Sequence, residues 1–133
     1  MKKVLEICSN KQEKVLIHDG ARPLVTDEMI DSLITMLEQC DSCTIASKCT
    51  STMINDEGDY IDRNKLCVIG TPQGFKLETI LRAFEEYKES ATDDTSLVAK
   101  LGIKPKIIFN DSPNIKVTTQ EDLVVVKAIL ESR

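Results

Sequence analysis

The residues best placed to do chemistry begin at His18-Asp19-Gly20-Ala21-Arg22-Pro23, directly after the apolar run Val15 to Ile17. Three consecutive apolar residues leave no solvent-facing side, so this run reads as a buried strand. In open α/β sheets, ligands gather beyond the carboxyl ends of the strands. There a carboxylate such as Asp19 can hold a divalent metal, and a guanidinium such as Arg22 can hold a phosphate. The plainer reading is that Asp19 and Arg22 only pair with each other. Four later stretches carry similar groups: Asp62-Arg63-Asn64, Thr71-Pro72-Gln73-Gly74-Phe75, Thr92-Asp93-Asp94-Thr95 and Asn114-Ile115-Lys116-Val117. Each also has a plain structural reading. The first two read as turns, the third as a helix N-cap whose acids complement the dipole, and the last as an edge strand. Cys40-Asp41-Ser42-Cys43 has CxxC spacing, but a zinc site needs a second ligand pair, and His18 is the only histidine. Its cysteines read as small apolar fillers where a helix meets a strand.

Elements must position these groups, and the pattern of the chain predicts them. Lys3 to Cys8 reads as the tail of a helix and Val15 to His18 as a strand. Thr26 or Asp27 can cap a helix in which Met29, Ile30, Leu33, Ile34 and Leu37 keep the 3.6-residue period. Cys43 to Ser47 reads as a second buried strand. From Lys48 to Gly70, loose alternation, a turn at Asn55 to Asp59, and strands at Tyr60–Ile61 and Leu66 to Ile69 suggest a projecting β-ribbon. Such a ribbon is not stable alone and calls for a partner surface, a second subunit first of all. Leu77 to Tyr87 predicts an amphipathic helix, and Thr92 caps a short one over Asp93 to Leu101, stopped by Gly102. Lys106 to Phe109 is strand-like. Thr118 and Glu121 have capping-box spacing ahead of a last helix over Glu121 to Leu130. Strands alternating with helices indicate an α/β domain with a largely parallel sheet.

The composition narrows the function classes. The 133 residues suffice for one domain; 41% are apolar and 29% charged, as in ordinary globular proteins. Trp is absent and aromatics make up 4%, which disfavours recognition of bases by stacked rings. A net charge of −5 argues against a general nucleic-acid binder but not against a small anion held by a few local cations. Glu6 interrupts the first apolar stretch, so no signal peptide is read there, and no apolar run reaches the length of about 18 residues that spans a membrane. Five cysteines, an odd number with no secretory context, are expected to stay reduced in a cytoplasm.

Taken together and in this order, the motifs resemble the later part of the 2-C-methyl-D-erythritol 4-phosphate cytidylyltransferase family. The family pattern HD-(A/G)-ARP, DT-(M/I), DR, TPQ-(G/x)-F, TD-(D/E)-x-S and NIK-(V/I)-T-x-x-DL reads here as His18 to Pro23, Ser51-Thr52-Met53, Asp62-Arg63, Thr71 to Phe75, Thr92 to Ser96 and Asn114 to Leu123. The resemblance implies an α/β fold. It would be a partial Rossmann-like nucleotidyltransferase domain with a mainly parallel sheet and a projecting β-ribbon arm. On this basis residues 1–133 form the C-terminal part of one cytidylyltransferase domain, with a dimerisation ribbon at residues 48–70.

The resemblance also implies roles. Asp19 would meet Mg²⁺ and the phosphate region, with Arg22 beside it and Lys116 as a further catalytic and substrate-binding cation. Thr52 and Arg63 would cross in the ribbon to the neighbouring subunit, and Thr71, Thr92 and Lys116 would complete the sugar-phosphate pocket. Lysine and arginine neutralise phosphate, and threonine hydroxyls bond to it or to the polyol. The reaction implied is attack by the sugar phosphate on the α-phosphorus of CTP, releasing pyrophosphate. Two other readings stand beside this one: ribitol-5-phosphate cytidylyltransferase, and a non-catalytic dimerising fragment that binds a sugar phosphate.

Three departures are visible. Gly20 replaces the commoner alanine, Ser51 stands where the family usually has aspartate, and Met53-Ile54-Asn55 lacks the frequent basic residue. The family begins with a Gly-rich, Arg-containing loop that cradles the nucleotide triphosphate through backbone N–H groups. The five glycines here, Gly20, Gly58, Gly70, Gly74 and Gly102, form no such loop. The expectation is therefore a truncated or internally started family member, inactive alone, with an exposed sheet edge and apolar face.

Overall fold

The structure is a computed structural model that describes residues 13–87 and 91–133. The helix tail expected at Lys3 to Cys8 lies outside these residues.

Four strands form the central sheet: β1 (Lys14–Ile17), β2 (Ser42–Lys48), β5 (Cys67–Lys76) and β6 (Lys106–Phe109), in the order β1-β5-β2-β6. β1, β2 and β6 run in one direction. β5 runs against them from its place between β1 and β2, so the β1–β5 and β5–β2 ladders are antiparallel and β2–β6 is parallel. Two residues of β3 (Met53–Ile54) pair with two of β4 (Tyr60–Ile61) in a separate ribbon.

Side-chain alternation sorts the strands onto two cores. On one face, Cys43 and Ile45 pack under Met29 and Leu33 of α1 (Asp27–Met36) and under Leu37 just beyond it. On the other, Ile17 and Phe75 pack with Leu77, Ile80 and Ala83 of α2 (Leu77–Glu86) and with Leu97 and Val98 of α3 (Asp94–Ala99). The result is three layers, helix on sheet on helix. Close approach at Gly74 allows the α1 core to seat. A Cβ there would meet Cys43 Sγ at 2.8 Å, Leu37 Cδ1 at 3.1 Å and Leu16 Cδ2 at 3.2 Å.

Helix ends follow local chemistry. Thr26 caps α1, accepting from the Met29 amide. The cap of α3 is Asp93 rather than Thr92, because the Asp93 side chain accepts from the Ser96 amide and closes a capping box with Ser96. The box at α4 (Gln120–Ser132) is likewise shifted by one residue, to Thr119 and Asp122. Asp122 accepts from the Thr118 and Thr119 amides and the Thr118 hydroxyl, which holds its carboxyl down at about 2.

Three sequence expectations change. β1 is half-buried, with Lys14 to Leu16 partly exposed and only Ile17 buried, since among the described residues it pairs on one side alone. Leu66 to Ile69 is no ribbon strand: residues from Cys67 onward open the long β5, where Val68 pairs with Ser47 and Ile69 with Ala46. Thr71 to Phe75 also lies in β5 rather than in a turn. The Cys40–Cys43 pair does act as filler. Cys43 is buried beside Leu33, and burial pushes its thiol up to about 12.

Apolar surface remains open on β5 and β6, where Val68, Ile69, Ile107 and Phe109 are exposed, and in the ribbon and α4. The ribbon exposes Met53, Ile54, Tyr60 and Ile61, with Tyr60 82% accessible. In α4 only Val126 is buried, while Leu123, Val124, Val125 and Leu130 are exposed. No helix among the described residues is long and apolar enough to cross a membrane.

Candidate functional site

A cleft of about 490 Å³ opens past the carboxyl end of β1, lined by Asp19, Arg22, Gly70, Thr71, Gln73, Thr92 to Asp94 and Lys116. Its floor comes from an irregularity in β5. Thr44 pairs with Gln73 and Ala46 with Ile69, so Gly70, Thr71 and Pro72 stand opposite Ile45 alone. A bulge of this kind lifts residues out of the ladder and re-aims their side chains. Here it brings Thr71 under the turn that follows β1.

That turn is tied down along its length. Asp19 donates its amide to Thr71 Oγ1 at 2.9 Å, and the Arg22 amide closes back on the Asp19 carbonyl at 3.0 Å. His18 spans the same turn, Nδ1 lying 3.1 Å from Thr71 Oγ1 and Nε2 2.9 Å from the Arg22 carbonyl. A carbonyl only accepts, so Nε2 carries the proton and Nδ1 is left to accept from the Thr71 hydroxyl. Thr71 thus lines the cleft while its hydroxyl is committed to the fold.

Charges converge above this floor. Asp19 Oδ2 lies 3.2 Å from Lys116 Nζ and 3.3 Å from Arg22 Nε. Burial alone would raise the Asp19 carboxyl, but hydrogen bonds and charge from Lys116 and Arg22 outweigh it and hold the group below its usual value. The two cations differ in commitment. Arg22 also donates from Nη1 to the Asn114 carbonyl at 2.8 Å and is mostly covered, so much of its donor set holds the fold together. Lys116 is half exposed and keeps donors free for a ligand.

The stretch around Asn114 and Lys116 is a loop, not the edge strand its sequence suggests. Single bonds fix it: Asn114 Nδ2 to the Thr71 carbonyl at 2.8 Å, and the Val117 amide to the Ala21 carbonyl at 2.8 Å. The opposite wall is the start of α3, with Thr92 and Asp94. Asp94 is pushed above its ordinary value, first by burial and then by the charges of Asp93 and Asp19.

The fold therefore gathers Asp19, Arg22, Thr71, Thr92 and Lys116 in one place. Thr52 and Arg63 stay outside the cleft. They lie exposed in the ribbon segment, where Arg63 Nη1 donates to the Thr50 carbonyl at 2.7 Å. Reading by charge and spacing passed over His18, Gln73 and Asn114 as working parts, although all three sit inside motifs already noted. Among the described residues no group of three or more His, Cys, Asp or Glu side chains could hold a metal unaided.

Comparison with known proteins gives a consistent outcome. The family model described as IspD: 2-C-methyl-D-erythritol 4-phosphate cytidylyltransferase matches residues 1–132. The chain is 39% identical over 141 residues to the 2-C-methyl-D-erythritol 4-phosphate cytidylyltransferase of Caldicellulosiruptor bescii, covering 98% of this chain and 61% of that protein. It is 42% identical over 128 residues to the protein of the same name from Geobacillus thermodenitrificans, covering 91% and 56%. Among solved structures, it superposes on the Thermus thermophilus 2-C-methyl-D-erythritol 4-phosphate cytidylyltransferase with a TM-score of 0.87 at 25% identity, over 97% of this chain and 66% of that one. The 4-diphosphocytidyl-2C-methyl-D-erythritol synthase of Anaerococcus prevotii gives 0.83 at 29% identity, over 97% and 64%. The chain spans about three-fifths of the length of the curated relatives it matches.

Proposed function

Because the chain belongs to the 2-C-methyl-D-erythritol 4-phosphate cytidylyltransferase family, we propose that its cleft holds the sugar-alcohol phosphate in a CTP-dependent cytidylyl transfer. The observation that carries this reading is the convergence of Lys116, Arg22 and Asp19 over the Thr71 bulge, at the strand end where α/β sheets receive ligands. Lys116 neutralises the phosphate with its free donors, Arg22 keeps Asp19 and the Asn114 loop in register, and Thr92 offers a hydroxyl to the polyol. In the reaction a phosphate oxygen of the sugar phosphate bonds to the α-phosphorus of CTP as the bond to pyrophosphate breaks.

The chemistry implies a divalent cation, Mg²⁺. Mg²⁺ is commonly held by one or two carboxylates, with water and substrate phosphates completing its shell. The donor set suits that arrangement, because both recorded ion pairs use Oδ2 of Asp19, leaving Oδ1 outside them, and Asp94 lies across the same cleft. When bound, the cation screens charge on the reacting phosphates.

The exposed ribbon supports a homodimer in which the segment between β2 and β5, with Thr52 and Arg63, reaches a second copy. We read the assembly as cytoplasmic. Calorimetric titration tests the cleft. The chain is expected to bind 2-C-methyl-D-erythritol 4-phosphate at least tenfold more tightly than ribitol 5-phosphate, with Lys116→Ala weakening binding at least tenfold. Tighter binding of ribitol 5-phosphate would move the reading to the ribitol branch, and binding indifferent to Lys116→Ala would remove the cleft from consideration.

A further inference from the structure

We propose that Gln73 is a positioning residue that locks the Thr92–Asp94 wall of the cleft to its Asp19–Thr71 floor. The inference rests on the reading of the cleft as a sugar-phosphate site and adds what sets the width of that site.

Gln73 is a buried polar side chain, 2% accessible, placed in β5 just after the bulge that carries Thr71. Both the nitrogen and the oxygen of its amide are engaged. Nε2 donates to Asp93 Oδ2 at 2.6 Å and, at a longer 3.4 Å, to the Gly70 carbonyl. Oε1 accepts from the Thr95 amide at 3.1 Å. The Asp93 carboxylate also accepts from the Thr95 hydroxyl at 2.7 Å and from the Ser96 amide at 2.9 Å. One side chain therefore satisfies a free amide in the first turn of α3 and the acid that caps that helix, while standing on the strand that builds the floor.

Chemistry fixes the amide orientation. Turned over, Gln73 would set its oxygen against the Asp93 carboxylate and its NH₂ against the Thr95 N–H. The connection matters because α3 has six residues, too few to be stable as an isolated helix. Leu97 and Val98 seat its far end in the core. Its near end, with Thr92 and Asp94, is placed by the Gln73–Asp93 pair. A partly satisfied buried network is costly, so loss of either partner frees this end first.

The test uses Gln73→Glu, Asp93→Asn and the double variant. Gln73→Glu sets two carboxylates against each other. Asp93→Asn, with its oxygen still capping the Ser96 amide, sets two amide NH₂ groups against each other. The double variant reverses the polarity of the bond. The asparagine at position 93 can then donate to the glutamate at position 73, which still accepts from the Thr95 amide. Three quantities are read: amide hydrogen exchange at Thr95 and Ser96, exchange in β2 as a control for global stability, and affinity for 2-C-methyl-D-erythritol 4-phosphate.

Each single variant is expected to speed exchange at Thr95 and Ser96 at least tenfold more than exchange in β2, and to weaken the ligand about tenfold. The double variant is expected to recover both to within about threefold. Unchanged exchange at Thr95 and Ser96, or a double variant no better than the singles, overturns the lock. Faster exchange with undiminished affinity overturns it too, since the pair would then only cap a helix. If the wild-type chain does not bind the sugar phosphate, the reading of the cleft falls, and the exchange pattern alone decides whether Gln73 joins wall to floor.

Discussion

Neighbouring aspartates at the start of α3 have opposite electrostatic fates, and a pH titration separates them. Burial would raise Asp93, but hydrogen bonds from Gln73, Thr95 and Ser96 outweigh it and hold the carboxyl below its ordinary value. A lowered folded-state value means that the stabilisation is present above the unfolded value near 3.8 and is lost as pH falls toward the folded one. Asp94 is raised, so its contribution is present below that value and is lost as pH rises through the folded-state value. Thermal melts followed by circular dichroism should show Asp93→Asn lowering the Tm at pH 7 with a difference that shrinks toward pH 3. Asp94→Asn should raise the Tm at pH 7, and that gain should fade toward pH 4. Equal offsets at all pH values would contradict both assignments. The motif TDD was legible in the sequence as a helix start, but not which residue caps it. That depended on Gln73, distant along the chain, meeting Asp93.

At the scale of elements, the core under α1 leaves little room for a side chain at Gly74. Gly74→Ala is expected to cost about 1–3 kcal/mol in denaturant unfolding, since Cys43 Sγ, Leu37 Cδ1 and Leu16 Cδ2 crowd the new methyl. A loss below about 0.5 kcal/mol would mean these side chains relax freely, as at ordinary surface sites. The ribbon presents the reverse case, with too much open surface rather than too little. Ile54 and Tyr60 are paired in register and both exposed. If a second copy covers them, Ile54→Asp with Tyr60→Asp should convert a dimer to a monomer in sedimentation velocity without altering the fold. A monomeric wild-type chain would count against the dimer. The helices α1 and α2 were legible because each keeps apolar spacing over ten residues, and α1 and α4 because a capping residue marks the start. β5 was not. Its sequence mixes Gly, Thr and Pro in the manner of a turn, and only pairing with β1 and β2 makes it a strand.

At the scale of the molecule, the cleft pairs its cations with Asp19 and carries few glycines, which suits a sugar phosphate better than a nucleotide triphosphate cradled by backbone amides. The chain is therefore expected to bind 2-C-methyl-D-erythritol 4-phosphate while releasing little or no pyrophosphate from CTP and Mg²⁺ in a coupled assay. Robust release would show that these 133 residues hold the nucleotide as well.

The sequence by itself determined the family and the layered α/β class and singled out Asp19, Arg22 and Lys116, because short motifs and apolar periodicity are local properties. Tertiary structure decided the rest. A bulge opposite Ile45 and the bonds Asp19–Thr71, Arg22–Asn114 and Gln73–Asp93 join residues 20 to 92 positions apart in the chain. Such contacts arise only when strands pair, so no local pattern encodes which hydroxyl is free for a ligand and which is spent on the fold.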